Sequence, residues 1–212
     1  MYKRQVVGDD PQSWSDAGFT VVNDAVVLGR VVVDLVGAHG DRGVLGWMLE
    51  GITADIDGLK TIVHPEHRYP SPQLHHNHVF AIDHVVIETD EPARAVQAFE
   101  AEGIQERRNA HVERNGISMR QSFFWAGRTI VELMGPTQAP SDGSGRSSFW
   151  GLALVSAELD DTVAFLGDRL SAPRDAVQPD RQIATLRTNE LGISVPIAIM
   201  SAHISTVGLE VD

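Results

Sequence analysis

One strand-and-helix stretch occurs twice in this sequence in the same register, and that repeat limits the fold more than any other feature. In the first copy Val79–Glu88 alternates in character, so His84, Val86 and Glu88 share one face of a strand while Val85 and Ile87 share the other. Asp90 stands where a helix cap is needed, and Pro92 falls in the first turn, where a missing amide hydrogen costs nothing. Val96 and Phe99 make the helix's apolar stripe, and Gly103 stops it after Glu102. In the second copy residues 151–155 read as a strand, and Leu159, Val163, Leu166 and Leu170 form the stripe. An offset of 67 places Val163 on Val96 and Leu166 on Phe99 without a gap.

The strands that follow each helix complete the unit. After the first come 106–112, 119–125 and, across a tight turn at Ala126-Gly127, 128–134, ended by Gly135-Pro136. After the second come 183–187 and 193–200. The first copy therefore reads as βαβββ, and the second is read as a repeat of the same unit. Upstream, residues 19–22 and 25–36 suggest a hairpin turning at Asn23-Asp24, 44–52 another strand, and 55–59 a brief helix. Gly29-Arg-Val-Val-Val-Asp-Leu-Val-Gly37 matches Gly127-Arg-Thr-Ile-Val-Glu-Leu-Met-Gly135 at an offset of 98, with Asp34 on Glu132. Residues 18–37 are expected to close a third unit whose opening strand and helix are missing, residues 1–17 being polar and uninformative.

The organisation expected is thus an N-terminal β-rich extension (1–63), a Pro- and His-rich connector (64–77), a first unit (78–137), a linker (138–148), a second unit (149–204) and a tail (205–212). Five histidines between His64 and His78 invite a metal reading. Three prolines in the same stretch hold the backbone extended, and a solvated connector is expected instead. A net charge of −12 argues against a nucleic-acid backbone or an anionic membrane as partner. The absence of cysteine removes disulfides, thiolate metal sites and cysteine nucleophiles. No apolar signal core follows Met1-Tyr2-Lys3-Arg4, and no apolar run reaches membrane-spanning length, so a soluble cytoplasmic protein is expected.

Ile82-Asp-His-Val-Val-Ile87, Arg120-Gln-Ser-Phe-Phe-Trp-Ala-Gly-Arg128 and Ile130-Val-Glu-Leu-Met-Gly-Pro136 resemble the vicinal oxygen chelate superfamily, the glyoxalase, extradiol dioxygenase and bleomycin-resistance group. Phe149-Trp-Gly-Leu-Ala153 and Ala176-Val-Gln-Pro-Asp-Arg181 carry the likeness in the second copy, and the likeness as a whole covers about residues 78–204. The resemblance implies an α+β fold in which duplicated βαβββ units curl into a cup-shaped mixed sheet, here with an N-terminal β extension. It also implies a divalent metal, zinc, iron, manganese or nickel, held by the first and last strands of both units. His84 and Glu132 match the ligands of the first unit, and are the catalytic pair the resemblance implies. In the second unit the matching positions are Gly151 and Ala198 (or Ile199, by register), which cannot ligate. More than two side-chain ligands are needed, so a cup holding no metal tightly is expected.

Strand pairing supplies the rest of the site. A turn at Ala126-Gly127 sets Gln121 against Glu132 and Phe123 against Ile130, with Gln121, Phe123, Ile130, Glu132 and Met134 on one face. A polar floor of imidazole, amide and carboxylate in an apolar pocket suits an orienting ligand site; a buried structural network is the plainer reading of the same residues. Phe123, Trp150, Gln178 and Arg181 are further ligand-binding candidates, Arg181 because a guanidinium matches carboxylate or phosphate and it follows the loop Gln178-Pro-Asp. Arg120, Arg128, Arg187 and Trp125 have weaker claims. Two functions remain in view: a glyoxalase-like lyase, isomerase or dioxygenase acting on a small oxygenated molecule, and a metal-free protein that sequesters a small molecule. A degenerate scaffold is the third. The N-terminal half unit exposes strand edges and apolar faces that one hairpin cannot bury, so it is expected to pack on the central unit or to complete a partner chain's sheet, giving a homodimer.

Overall fold

The structure, a computed structural model, describes residues 2–63, 71–138 and 145–203. The N-terminal part runs β1 (Tyr2–Val7), α1 (Pro11–Asp16), β2 (Ala25–Leu28), β3 (Val31–Leu35) and β4 (Val44–Leu49). Then come β5 (Val79–Glu88), α2 (Pro92–Ala101), β6 (Glu106–Arg114), β7 (Ile117–Ala126) and β8 (Thr129–Pro136). The last unit is β9 (Ser148–Ser156), α3 (Leu159–Leu166), β10 (Arg174–Asp175), β11 (Gln182–Thr185) and β12 (Ile197–Ser201).

β5 to β12 form one eight-stranded sheet in the order β10-β11-β12-β9-β5-β8-β7-β6. Within each unit the first strand pairs in parallel with the last, β5 with β8 and β9 with β12, and the two first strands meet antiparallel at the centre. This is the duplicated βαβββ sheet read from the sequence. The helix starts repeat too, though through a different residue from Asp90. Thr89 Oγ1 accepts from the Glu91 amide at 3.2 Å and Ser156 Oγ accepts from the Glu158 amide at 3.1 Å, again 67 positions apart. These hydroxyls satisfy an amide at the start of α2 and α3 that has no partner within the helix.

The N-terminal strands make a four-stranded sheet in the order β2-β3-β1-β4. It carries what the sequence reading took to be missing. β1 pairs in parallel with β3, as β5 does with β8, and α1 follows β1 as α2 follows β5. The hairpin of β2 and β3 keeps the register of β7 and β8 at every pair: Leu28 faces Val31 as Ala126 faces Thr129, and Ala25 faces Asp34 as Phe123 faces Glu132. β4 pairs antiparallel with β1, as β9 does with β5. Among the described residues no strand stands as a counterpart of β6. Side chains fill that place: Gln73 Oε1 accepts from the Val27 amide and His75 Nε2 donates to the Val27 carbonyl, both at 2.9 Å, and so close the β2 edge.

Other expectations shift in detail. The chain does turn at Asn23-Asp24, where Val22 and Ala25 exchange both backbone hydrogen bonds, but residues 19–22 add only that isolated bridge, and the hairpin of β2 and β3 turns at Gly29-Arg30. Residues 55–59 form a turn closed by a bridge between Ile56 and Leu59 instead of a helix. β11 and β12 are shorter than the apolar runs 183–187 and 193–200, because Ile193 and Val195 are buried from a loop. The connector's 64–70 stretch, with His64 and His67, lies outside the described residues, as does most of the 138–148 linker. The rest of the connector is anchored by His75 and Asn77, which are buried, while Ser71, Pro72, Leu74 and His76 are exposed.

The N-terminal sheet packs on the helix side of the larger one. Trp47 of β4 is fully buried and meets Phe99 of α2 edge-on at 6.1 Å and Phe149 of β9 at 5.0 Å, while Phe99 stacks on Phe124 at 4.7 Å. Burying each such ring contributes roughly 1.5–3 kcal/mol. Val85, Ile87, Val131 and Leu133 point into the same core. By period two, His84, Val86, Glu132 and Met134 then face the other way, onto the open side of the sheet.

Candidate functional site

The open side holds a cavity of about 650 Å³. Its floor is His84 and Val86 from β5, Glu132 and Met134 from β8 and Gln121 from β7, with Leu152 and Trp150 of β9 beside them. Ile183, Thr185 and Ala198 form the wall of the second unit, and Val112, Arg114, Arg174 and Val177 stand round the mouth. The wall is mostly apolar and the polar groups gather on the floor.

Those polar groups make a continuous run. Gln121 Nε2 donates to Glu132 Oε1 at 2.8 Å, and Glu132 Oε2 lies 3.4 Å from His84 Nε2. His84 Nδ1–H donates to Asp83 Oδ2 at 2.8 Å, and Arg181 Nη1 donates to Asp83 Oδ1 at 2.8 Å. Arg181 also donates to Gln178 Oε1 at 2.7 Å and, through Nε, to the Ser201 carbonyl at 2.8 Å. Burial opposes the charge on Asp83, but the His84 hydrogen bond and the Arg181 charge outweigh it and hold the carboxyl below its ordinary range. An ionised Asp83 fixes Nδ1 as the protonated nitrogen of His84, which leaves Nε2 to face Glu132 and the cavity. The His84 and Glu132 side chains keep 15% and 14% of their surface exposed, the part a ligand could reach.

Asp83 is the member the sequence reading missed. Alternation sends residue 83 to the face opposite His84. In the structure, Ile82 pairs with Leu154 and His84 with Ala153, so Asp83 is the extra residue of a β-bulge. The bulge brings both side chains to one side of the sheet. Adjacent Asp and His in a strand were the only visible trace of it.

Gln121 reaches Glu132 by a different register from the one expected. Phe123 is the direct partner of Glu132 and Gln121 that of Met134, because the tight turn is Gly127-Arg128. The two-residue slip keeps the faces unchanged, so the amide meets the carboxylate diagonally. Phe123 lies outside the cavity wall, under the Arg108 guanidinium at 5.1 Å. Arg181, itself bonded to Gln178, braces Asp83, and neither Gln178 nor Arg181 lines the cavity. Trp150 does. Arg120 is paired with Glu106 and Arg187 with Glu190, away from the cup.

Gly151 cannot be a ligand position for a structural reason. A Cβ there would come within 2.7 Å of the Pro196 carbonyl oxygen, the same oxygen that accepts from the Leu152 amide. Ala198 lines the cavity without a donor. His84 Nε2 and Glu132 are therefore two donors, fewer than the three or four by which divalent ions are commonly held. Among the described residues no group of three or more His, Cys, Asp or Glu could hold a metal ion. The residues present do not fit a tightly bound metal of the kind the resemblance implies. Of the connector histidines, His75 is engaged on both ring nitrogens, with the Thr20 amide and the Val27 carbonyl, and His76 stacks on Phe165.

Comparison with solved structures agrees with this fold. A triple mutant of 4-hydroxymandelate synthase from Streptomyces coelicolor superposes with a TM-score of 0.62 over 95% of this chain and 92% of its own, at 12% identity. Methylmalonyl-CoA epimerase from Mycobacterium tuberculosis matches 62% of this chain and 94% of its own at 18% identity, with a TM-score of 0.46, too distant to inform the site. No protein-family model matches the chain, and no curated protein does. The chain shares the fold of the synthase, and the match takes in the N-terminal sheet as well as the cup. Among the described residues no helix is long and apolar enough to cross a membrane.

Proposed function

We propose that the cup binds a small oxygenated organic molecule and that Glu132 and His84 move a proton on it, as an isomerase or lyase of the glyoxalase-like kind. The observation that carries this reading is the run Gln121, Glu132, His84, Asp83 on the floor of an otherwise apolar cavity. Glu132 Oε2 takes the proton from a carbon next to a carbonyl, and the C–H electrons move onto the carbonyl oxygen. In its doubly protonated form His84, held at Nδ1 by Asp83, donates Nε2–H to the enolate oxygen so formed. Return of the proton to the neighbouring carbon of an enediolate gives an isomer; expulsion of a leaving group from the carbon beside the enolate, with its bonding electrons, gives a lyase product. Gln121 fixes the Glu132 carboxylate by holding Oε1, so that Oε2 remains the reacting oxygen.

The test is incubation in D2O with a panel of small 2-oxo acids and 1,3-dicarbonyls, followed by proton NMR. Protein-dependent loss of an α-proton signal supports proton transfer. Binding by saturation transfer with no exchange or turnover of any bound compound would point to the sequestering alternative.

A further inference from the structure

The geometry points to an organic anion as the ligand, its acid group gripped at the mouth of the cup by Arg114 with Arg174 opposite. This rests on the cup being the ligand site, as proposed above, and adds the ligand's charge and shape. The chain carries an excess of acids, 29 against 17 lysines and arginines, and many of its arginines are engaged. Arg4 pairs with Asp34, Arg42 with Asp9, Arg94 with Asp57 and Glu91, Arg120 with Glu106, and Arg181 with Asp83. Arg114 and Arg174 both line the 650 Å³ cavity, and neither forms an ion pair among the described residues. Among the described residues the only side-chain hydrogen bond of Arg114 is a weak one, Nη1 to Met134 Sδ at 3.9 Å. Glu113 also lines the cavity, between Val112 and Arg114 on β6, and is one carboxylate at the mouth against two guanidinium groups.

The spacing fixes the ligand's shape. Met134 follows Glu132 by two residues on β8, roughly 7 Å along a strand. An acid group held by Arg114 beside Met134 therefore sits about that far from the carbon over Glu132. Val112, Trp150 and Val177 are exposed round the same mouth, an apolar collar for the ligand's body. A guanidinium matches a carboxylate, sulfonate or phosphate equally, so the class is an amphiphilic anion with a short apolar frame.

Two dyes of one skeleton test this: 1-anilinonaphthalene-8-sulfonate, which is anionic, and N-phenyl-1-naphthylamine, which is neutral. Fluorescence titration of the full chain should show tighter binding of the sulfonate, weakening as salt is raised. Arg114→Gln with Arg174→Gln should weaken the sulfonate about tenfold and leave the neutral dye unchanged. Equal affinity in the wild type, or a preference that survives both substitutions, overturns the inference alone. Ala198→Trp, or Thr185→Trp should the first lower the melting temperature, fills the cup and should displace both dyes. Dyes unaffected by either filling would not be in the cup, and would overturn this inference together with the reading it rests on.

Discussion

Arg4 donates a hydrogen bond to Asp34 at the place in the four-stranded sheet that His84 holds against Glu132 in the eight-stranded one. Arg4 faces Val32 as His84 faces Ile130, and Val6 faces Asp34 as Val86 faces Glu132. The parallel continues: Gly46 stands against Val6 as Gly151 stands against Val86, and each glycine underlies a carbonyl, Lys60 or Pro196, that accepts from the next amide. The N-terminal sheet is a second copy of the cup's floor in which a guanidinium–carboxylate pair replaces the imidazole–carboxylate pair. Arg4→Met alone should lower stability by about 1–3 kcal/mol, by leaving Asp34 half-buried without its partner. Arg4→Met with Asp34→Leu should recover most of that loss. Urea unfolding of the two variants checks it.

Asp9 is the tightest polar link between the N-terminal sheet and the second unit. It is fully buried and its carboxylate accepts from Trp14 Nε1 at 3.1 Å, from the Ser194 amide at 2.9 Å and Oγ at 2.6 Å, and pairs with Arg42 at 3.1 Å. Asp9→Ala should cost about 3 kcal/mol or more, since several buried donors lose their acceptor together. Asp9→Asn, which keeps one acceptor oxygen, should cost less in the same unfolding experiment.

Acid sensitivity should begin at His75. Burial lowers its pKa from the ordinary 6.5, the Val27 carbonyl opposes that shift, and neighbouring His76 adds to it. Protonation would also turn Nδ1, which accepts from the Thr20 amide, into a donor facing a donor. The unfolded chain therefore takes up this proton first, and stability falls as pH drops below about 6.5 toward the lowered folded value. Asp83 acts in a lower window: its depressed pKa contributes stability above the ordinary carboxylate range, lost as pH falls through the folded value. Urea midpoints should fall between pH 7.5 and 5.5, with a smaller fall in His75→Gln.

Metal content should be substoichiometric. With His84 and Glu132 as the two donors in the cup, zinc, iron, manganese or nickel should be removed by dialysis, and elemental analysis of untagged protein should find well under one ion per chain. One ion per chain, lost in His84→Ala, would contradict this.

Period two and the 67-residue repeat were enough to place β5, α2, β9 and α3 and to put His84, Glu132 and Gln121 on one face. Registers within that face were less legible, because a two-residue slip at Gly127-Arg128 leaves every side chain on the same side. The bulge at Asp83 left no periodic trace, since one inserted residue reads as ordinary alternation broken once. β1 and α1 hid because Lys3, Gln5 and Asp9 are polar yet buried, each with a partner a sequence does not display. The repeat also overstated equivalence: Val96 is buried whereas Val163 is only half-buried, the second helix being shorter.

The proton-transfer account turns on the Glu132 carboxylate. Deuterium exchange at the α-carbon of whichever panel compound the wild-type protein labels fastest is the most direct measurement, repeated with Glu132→Gln. The amide keeps the shape and the contact to Gln121 but cannot take a proton, so exchange should fall by about a hundredfold or more while the compound still binds. Exchange that continues at the wild-type rate in Glu132→Gln, with binding intact, would contradict the account.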